Sequence, residues 1–326
     1  MSVTFSGGIT FTGGGFSFTA APPAAPTAGW FSGGQQLPSY GAVTTVDRIT
    51  FATDTATASV RGPIAQPRRF HSATGTFTYG YHGGGQYSGA TPSGYSTSID
   101  RIIYASDTAT ASTRGTLDAT RYQSAATSSD SYGYFGAGYT TTGSKQNTIS
   151  RIDYSNDTAT ATNRGPLPLA IYKVAATSDT TTYGWFGGGS VFPAAPRPIS
   201  SVSRITYAND TATASARGPL ASARYDLSAT GNSSYGWYVG GDTFSAVDRI
   251  TYATDTATAS VRGPLTRFVY AFAGVGDNDY GWYGGGKPPP ASTVDRITYA
   301  NDTVTASTRG PMAAATYVWA ASSGVQ

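Results

Sequence analysis

The residues that could support catalysis or metal binding are few and stand far apart in this chain. There are two histidines, His71 and His82, no cysteine, and 18 acidic residues that are all aspartate. The sequence has no HxH or HExxH spacing, and no Ser-His-Asp set or close carboxylate pair follows from its spacing. We therefore predict no enzymatic activity, no metal centre and no cofactor. His82 interrupts an aromatic-glycine segment and is expected to be packed in the core.

One variable position is a candidate for binding, and it lies in a repeated short segment, written RYxxAA after its copy at residues 121–126. The neighbouring positions are aromatic or small, whereas this position differs in every copy. Its occupants are His71, Gln123, Lys173, Asp226, Ala271 and Val318. A ring of six such side chains could line a central channel and hold a small polar ligand. The alternative, which we favour, is a channel filled by water and side chains.

Loops of variable length and chemistry supply a second set of binding candidates. Variation on a repeated scaffold is where binding usually lies, and exposed aromatic and basic side chains are poor choices for solvation alone. The alternative is that surface loops have simply drifted. The candidates are Tyr40, Tyr87, Tyr95, Tyr139, Lys145, Phe192, Arg197, Phe244 and Lys287.

All these candidates are carried by a sequence unit that occurs six times. Each unit has an anchor such as DRITYATDTATASVRGP from Asp248, preceded by an aromatic-glycine segment such as YGWFGG at residues 183–188. The first arginines of the anchors are Arg48, Arg101, Arg151, Arg204, Arg249 and Arg296, so successive units are 53, 50, 53, 45 and 47 residues apart. Such a period is typical of repeat architectures.

The anchor is predicted to be a β-hairpin. A turn around Asp54 sorts large and small apolar residues onto one face and polar residues onto the other. The opposed pairs are Phe51 with Ala56, Ile49 with Ala58, Thr50 with Thr57, and Arg48 with Ser59. In the turn, the Asp54 carboxylate is expected to bond the backbone two residues on, a reading we prefer to a calcium site. Arg48 and Arg61 recur in every unit, so we predict that they are struts between units.

The fold class predicted from these units is all-β. The chain has no glutamate and only three lysines, which disfavours helices. Each unit supplies four strands: the aromatic-glycine strand, the two hairpin strands and the RYxxAA strand. Six four-stranded sheets predict a six-bladed β-propeller. Because the first unit starts with its aromatic-glycine strand at Gly29, the C-terminal segment 316–321 is expected to close the first blade as its innermost strand.

The units resemble the kelch repeat over residues 29–321, since an aromatic strand ends in a glycine doublet and is followed by a variable loop, a strand ending in Tyr and a turn. They depart from it where the kelch tryptophan is replaced by Ala in TATAS. The sequence pattern DRITYANDTATASxRGPL, together with YGWFGGG, is similar to repeats in structural proteins of marine tailed phages, particularly cyanophages. This second resemblance implies a virion structural protein.

Residues 1–20 differ from the repeats and are predicted to form a short β-ribbon with glycine turns. Its apolar residues alternate with Thr and Ser, and they are Val3, Phe5, Ile9, Phe11, Phe16 and Phe18. A ribbon this small cannot bury its own apolar face, so we expect it to dock on another subunit by strand addition. Residues 21–28 form a Pro/Ala linker, and residues 29–326 form the propeller. The ribbon is expected to leave from the face opposite the variable loops.

Several partners are disfavoured by composition. The net charge is +3 and the arginines are scattered, unlike a nucleic-acid groove. No apolar run approaches the ~18 residues of a membrane span, and the start of the sequence does not resemble a signal peptide. The leading hypothesis is a phage virion protein, located on a tail fibre, tail tip or capsid, that joins a larger assembly through its ribbon. Its loops would bind a host-surface glycan or protein.

Two other functions were weighed. A free carbohydrate-binding or filament-forming propeller would use the same loops, with the ribbon of one copy completing the next. An enzyme is suggested by galactose oxidase, whose blades are kelch-like, but that chemistry needs a thioether-forming cysteine and this chain has none.

Overall fold

The computed structural model describes residues 7–12, 15–20, 26–36, 41–87, 94–191, 197–242, 244–287, 289–317 and 319–323. Within these ranges the regular elements are β-strands and short 3-10 turns, without an α-helix. Strands are numbered in chain order, and β1 (Gly7–Thr12) and β2 (Gly15–Ala20) pair antiparallel as a ribbon. The all-β prediction is confirmed.

Six four-stranded sheets form the blades of a propeller. From blade one to blade six, the innermost strands are β28 (Ala320–Ser322), β7 (Ser72–Gly75), β11 (Ala125–Ser128), β15 (Ala175–Ser178), β19 (Ser228–Gly231) and β23 (Ala273–Gly276). The second strands are β3 (Ala28–Ser32), β8 (Tyr79–Gly83), β12 (Tyr132–Gly136), β16 (Tyr183–Gly187), β20 (Tyr235–Val239) and β24 (Tyr280–Gly284).

The outer half of each blade follows the same order. The third strands are β5 (Val46–Thr50), β9 (Ser98–Ile103), β13 (Ile149–Asp153), β17 (Val202–Thr206), β21 (Val247–Thr251) and β25 (Val294–Thr298). The outermost strands are β6 (Ser59–Arg61), β10 (Ser112–Thr116), β14 (Thr162–Arg164), β18 (Ser215–Arg217), β22 (Ser260–Arg262) and β26 (Ser307–Arg309). The intervening 3-10 turns are Phe51–Thr53, Tyr104–Ser106, Tyr154–Asn156, Tyr207–Asn209, Tyr252–Thr254 and Tyr299–Asn301.

The ring is closed by the C-terminal strand. β28 pairs antiparallel with β3, so blade one contains strands from both ends of the chain. β28 also contacts the innermost strands of its two neighbours, β7 and β23. A further two-stranded pairing joins β4 (Gln35–Gln36) to β27 (Thr316–Tyr317). The predicted closure is confirmed, and it removes two raw sheet edges.

The predicted hairpin register is confirmed where the strands pair, because Arg48 lies opposite Ser59 in the β5–β6 ladder. Beyond that pair the prediction was wrong. Phe51 lies in a 3-10 turn, not in a strand, and Ala58 donates its N–H to the carbonyl of Pro311 in the last blade at 2.8 Å. The hairpin opens there because its inner backbone groups are used between blades.

The repeated arginines are struts between blades, as predicted. In each blade both arginines bind the turn aspartate of the next blade, closing a circle. The pairs are Arg48 and Arg61 with Asp107, Arg101 and Arg114 with Asp157, Arg151 and Arg164 with Asp210, Arg204 and Arg217 with Asp255, Arg249 and Arg262 with Asp302, and Arg296 and Arg309 with Asp54. The prediction that the Asp54 carboxylate bonds its own turn was wrong, because its partners come from blade six.

The apolar core lies between neighbouring blades. Trp185 of blade four is fully buried and stacks on Tyr252 of blade five, with ring centroids 3.9 Å apart and 8° between the planes. Close approach of the backbones requires glycine in the RGP segment. A Cβ on Gly115 would collide with the carbonyl of Ala159 in the next blade. These contacts hold the blades in the positions from which their loops project.

Candidate binding face around the central channel

The two faces of the disc carry different connections. The loop face carries the connections between second and third strands, together with those from each outermost strand to the next innermost strand. The turn face carries the 3-10 turns and the connections between first and second strands. The start of β3 lies on the turn face, because Ala28 pairs with Thr50 beside the turn at Phe51. Residues 26 and 27 therefore lead into the propeller from the side opposite the variable loops.

At the loop-face mouth of the channel, five described residues at equivalent repeat positions adopt a left-handed backbone conformation. These residues are Phe70, Gln123, Lys173, Asp226 and Ala271, with φ of 57°, 54°, 56°, 54° and 56°. In four of them the N–H donates to the carbonyl of the equivalent residue in the preceding blade. The bonds run from Gln123 to Phe70 (2.8 Å), Lys173 to Gln123 (2.8 Å), Asp226 to Lys173 (3.0 Å) and Ala271 to Asp226 (3.0 Å). This series of bonds fixes the backbone positions from which the five side chains project.

His71 does not belong to this series, so the predicted alignment of His71 with Gln123 was wrong by one residue. Phe70 has the equivalent positive φ and accepts the bond from Gln123. The equivalent of Arg121 is Arg68, and both side chains are fully buried. Val318 lies outside the described residues.

The channel is narrow. A cavity of about 70 Å³ opens at the mouth beside Gln123, Lys173 and Asp226. A second cavity of about 110 Å³ follows the innermost strands. Between these ends the walls carry the large buried side chains of Leu227, Phe272 and Trp319. Small-molecule sites usually measure ~300–1,000 Å³, so a sugar-sized ligand would lie over the mouth and not inside the channel.

An ion pair stands at this mouth. Lys173 Nζ lies 2.7 Å from Asp226 Oδ2, and both side chains are largely buried. Burial raises the pKa of the Asp226 carboxyl, and the Lys173 ammonium opposes that shift. The same ammonium lies over the ring of Tyr225, 4.8 Å from its centroid. The pair therefore offers partly satisfied donors and acceptors at an aromatic edge.

A row of stacked tyrosines extends from this ion pair across the loop face, and we call it the tyrosine ladder. Tyr95 stacks on Tyr122 at 4.5 Å, Tyr122 on Tyr139 at 5.4 Å, and Tyr139 contacts Tyr172 at 4.5 Å. Tyr139 and Tyr172 are buried, whereas Tyr95 and Tyr122 are half-buried and present ring surface to solvent. Burial raises the pKa of Tyr139 to about 12, so its phenol is neutral at physiological pH.

The remaining loop candidates are spread around the same face. The Lys145 ammonium donates to the carbonyl of Val191 in the next blade. Lys287 lies over the ring of Tyr317 at 3.8 Å from its centroid, and Tyr87 donates its hydroxyl to Ser96 at 2.9 Å. Arg197 and Phe244 are exposed. Tyr40 and Phe192 lie outside the described residues.

A buried serine-histidine cluster lies between blades one and two. Ser32 Oγ is 3.0 Å from His71 Nε2 and 2.6 Å from His82 Nδ1, while His82 Nε2 is 3.1 Å from Ser322 Oγ. His82 is fully buried, as predicted, and Ser32 is sealed from solvent as well. Burial lowers the pKa of His82 to about 3 and that of His71 well below its ordinary value. These bonds join the two blades at their junction.

No protein-family model matches this chain, and no curated protein matches it. Solved structures do match its fold. The chain is similar to YjhT. The likeness has a TM-score of 0.68 at 10% sequence identity, and it covers 88% of this chain and 98% of the other chain, whose structure is titled "Structure of YjhT". At this identity the likeness to YjhT shows the shared propeller fold alone.

Three residues around the ion pair were not among the binding candidates identified from the sequence. Tyr122, Tyr172 and Tyr225 precede the mouth residues in the RYxxAA segments, which were interpreted as strands. In the structure the regular strand starts only at Ala125, and Tyr122 forms an isolated bridge with Tyr139 across the loop face. The recurrence of Tyr at this position was the available signal. No helix of the described residues is long and apolar enough to span a bilayer.

Proposed function

We propose that this chain is a structural protein of a tailed-phage particle, whose propeller presents the loop face to the host surface and binds glycans there. The observation that carries the proposal is the tyrosine ladder, which adjoins the Lys173–Asp226 ion pair on the face opposite residue 26. The virion location is supported by the sequence of the repeats, which is similar to that of repeats in marine phage structural proteins. No catalytic role is proposed.

The chemistry of the ladder suits a sugar. A pyranose presents one face of C–H groups, which packs on an aromatic ring, and a rim of hydroxyls, which both donate and accept hydrogen bonds. The half-buried rings of Tyr95 and Tyr122 supply the stacking surface. The Lys173 ammonium, the Asp226 carboxylate and the neutral phenols supply donors and acceptors. Because the stacked rings are already ordered, binding loses little side-chain entropy.

The anchoring element in this proposal is the ribbon. The β1–β2 register pairs Ile9 with Phe18 and Phe11 with Phe16, whereas the predicted ribbon residues Val3 and Phe5 lie outside the described residues. A two-stranded ribbon leaves backbone N–H and C=O groups unpaired at each edge, and such an edge accepts a further strand. In the virion the ribbon would add to a sheet of a neighbouring subunit. The propeller would then project with its loop face outward.

A glycan array tests the recognition half of the proposal. The wild-type chain should bind a subset of glycans, and the double variant Tyr95→Ala/Tyr122→Ala should lose that signal. Tyr270→Ala is the matched control, because Tyr270 occupies the same repeat position in blade six, where it bridges to Lys287. Equal binding by the wild type and the double variant would refute the role of the ladder. Electron microscopy of antibody-labelled particles tests the virion location separately.

A free carbohydrate-binding propeller is the alternative supported by the same ladder. It predicts glycan binding with no association with particles. A filament built by ribbon exchange is less well supported, because residues 26 and 27 enter on the turn face and exchange through one shared face gives a closed pair of copies.

A further inference from the structure

Five of the six blades share a tyrosine that blade one lacks. This tyrosine starts the second strand, and the guanidinium of the first anchor arginine lies over its ring. The pairs are Arg101 over Tyr79 (4.5 Å), Arg151 over Tyr132 (4.1 Å), Arg204 over Tyr183 (3.9 Å), Arg249 over Tyr235 (4.4 Å) and Arg296 over Tyr280 (4.4 Å). In blade one the strand alignment puts Ala28 at this position.

The missing ring leaves a pocket on the turn face. It has a volume of about 420 Å³ and is lined by Ala28, Trp30, Arg48, Phe77 and Tyr104, together with Pro26 and Thr27. The Arg48 side chain is 28% exposed, whereas the equivalent Arg296 is 20% exposed. Trp30 and Tyr104 are stacked at 3.8 Å, so the pocket has a rigid aromatic wall.

The rim of the pocket is also unlike its counterparts. Phe77 lies in the connection between the first and second strands of blade two and is 40% exposed. The equivalent positions in blades three, five and six carry Asp130, Ser233 and Asn278. The pocket thus combines the missing ring of blade one with an exposed aromatic side chain from blade two. The vacancy suits another aromatic ring, inserted over the Arg48 guanidinium and against Phe77.

We propose that this pocket receives a phenylalanine ring from the ribbon of the same chain. Pro26 and Thr27 line the pocket, so the polypeptide that leads to the ribbon already runs along its edge. Phe18 is eight residues before Pro26 and therefore within ~27 Å along an extended chain. A ring tethered this closely has an effective concentration in the millimolar range, which favours it over a ring from a second copy.

Insertion of a ring into the pocket would also stabilise the ribbon. A two-stranded ribbon is marginally stable alone, and the alternation of Ile and Phe with Thr and Ser in its sequence predicts an apolar face that needs a cover. Insertion of one phenylalanine would cover part of that face and leave the backbone edges free. The inference concerns the ribbon and its own propeller, and it does not depend on glycan binding or on a virion location.

Hydrogen exchange of the full chain tests the proposal. In Ala28→Tyr the repeat's own tyrosine fills the pocket, and we expect amide protection in β1 and β2 to fall at least tenfold. Ser131→Tyr, which adds the same side chain at an exposed turn-face position, should leave that protection unchanged. Unchanged protection in Ala28→Tyr would overturn the proposal, provided that its melting shows a folded propeller.

Two further measurements keep the test decisive. Phe77→Ser removes the exposed rim without opening the core, and it should also lower ribbon protection. If both Ala28→Tyr and Phe77→Ser keep wild-type protection, the pocket does not hold the ribbon. A dilution series examines the source of the ring: protection independent of concentration supports the same chain. Protection that disappears on dilution, together with a dimer in size-exclusion chromatography, would overturn the assignment to the same chain.

Discussion

Asp54 of the first blade accepts a hydrogen bond from Trp282 of the last blade, with 2.8 Å between Oδ2 and Nε1. The same oxygen lies 2.9 Å from Arg296 and 3.4 Å from Arg309. One nearly buried carboxylate thus satisfies an indole and two guanidinium groups across the junction where the ring closes. Its five counterparts also bind two arginines each, and they accept a further bond from an indole at Asp107, Asp255 and Asp302 or from a tyrosine hydroxyl at Asp157 and Asp210. The closing junction is therefore held by the same kind of contact as the other five.

Replacement of Asp54 by Ala should strongly destabilise the propeller. Trp282 and two arginines would lose a buried acceptor, and breaking a buried ion pair on one side costs about 3–5 kcal/mol. Asp153→Ala is the control, since Asp153 accepts bonds locally from Ser155 on the surface. Urea unfolding measures both free energies. Equal stability of the two variants would contradict the role of Asp54 at the junction.

Removal of residues 315–326 should open the ring. The deletion takes away β27 and β28, so β3 and the innermost strands of blades two and six lose their neighbour. The exposed strand edges should cause aggregation. Light scattering and thermal melting provide the measurement. A soluble truncated chain with unchanged cooperative melting would show that closure is dispensable.

Acid should weaken the junction between blades one and two. Folded His82 has a pKa of about 3, and that of His71 is also lowered, so both stay neutral where the unfolded chain binds protons. Stability should therefore fall as pH drops below about 6.5, with about 2 kcal/mol lost through His82 between pH 7 and pH 5 and a further loss through His71.

The variant His82→Phe isolates this effect, because Phe135 and Phe186 occupy the equivalent position in blades three and four. Its unfolding free energy should depend less steeply on pH over the same range. A variant with the wild-type slope would show that His82 does not contribute to acid sensitivity.

The ion pair at the channel mouth should respond non-additively to mutation. Lys173→Ala alone leaves the buried Asp226 carboxylate without its counter-charge and should lower stability by more than the double variant Lys173→Ala/Asp226→Ala does. Both should weaken glycan binding if the pair contacts the sugar. Thermal melting and array binding measure the two effects. If the double variant is destabilised as much as Lys173→Ala or more, the single variant does not suffer from an unpaired Asp226 carboxylate.

Local sequence patterns were sufficient to predict much of the fold. The alternation in DRITF at residues 47–51 predicts the β5–β6 register at Arg48 and Ser59, and the strand predicted near the C-terminus accounts for the closure. The partner of Asp54 was missed because Trp282 lies 228 residues away and no local pattern encodes that contact. His71 was misaligned because blade two has adjacent arginines, Arg68 and Arg69, and only burial shows that Arg68 is the repeated one.

The candidate site was only partly predictable for a related reason. Tyr95 and Tyr139 belong to variable loops and were identified by that variability. Tyr122 lies in a repeated segment, where recurrence was interpreted as scaffold. Its exposure depends on the chain leaving the strand before Ala125, which follows from the left-handed conformation of Gln123. The exposure of the Tyr122 ring therefore depends on the φ angle of Gln123, which cannot be read from the sequence.

We propose that the loop face recognises the host surface while the ribbon attaches the propeller to the particle. The most direct measurement reconstitutes particles lacking this protein with two variants, and it scores incorporation and adsorption to cells separately. Tyr95→Ala/Tyr122→Ala should incorporate normally and adsorb poorly, whereas a chain without residues 1–20 should fold but fail to incorporate. Normal adsorption by the double variant, or normal incorporation of the shortened chain, would contradict the account.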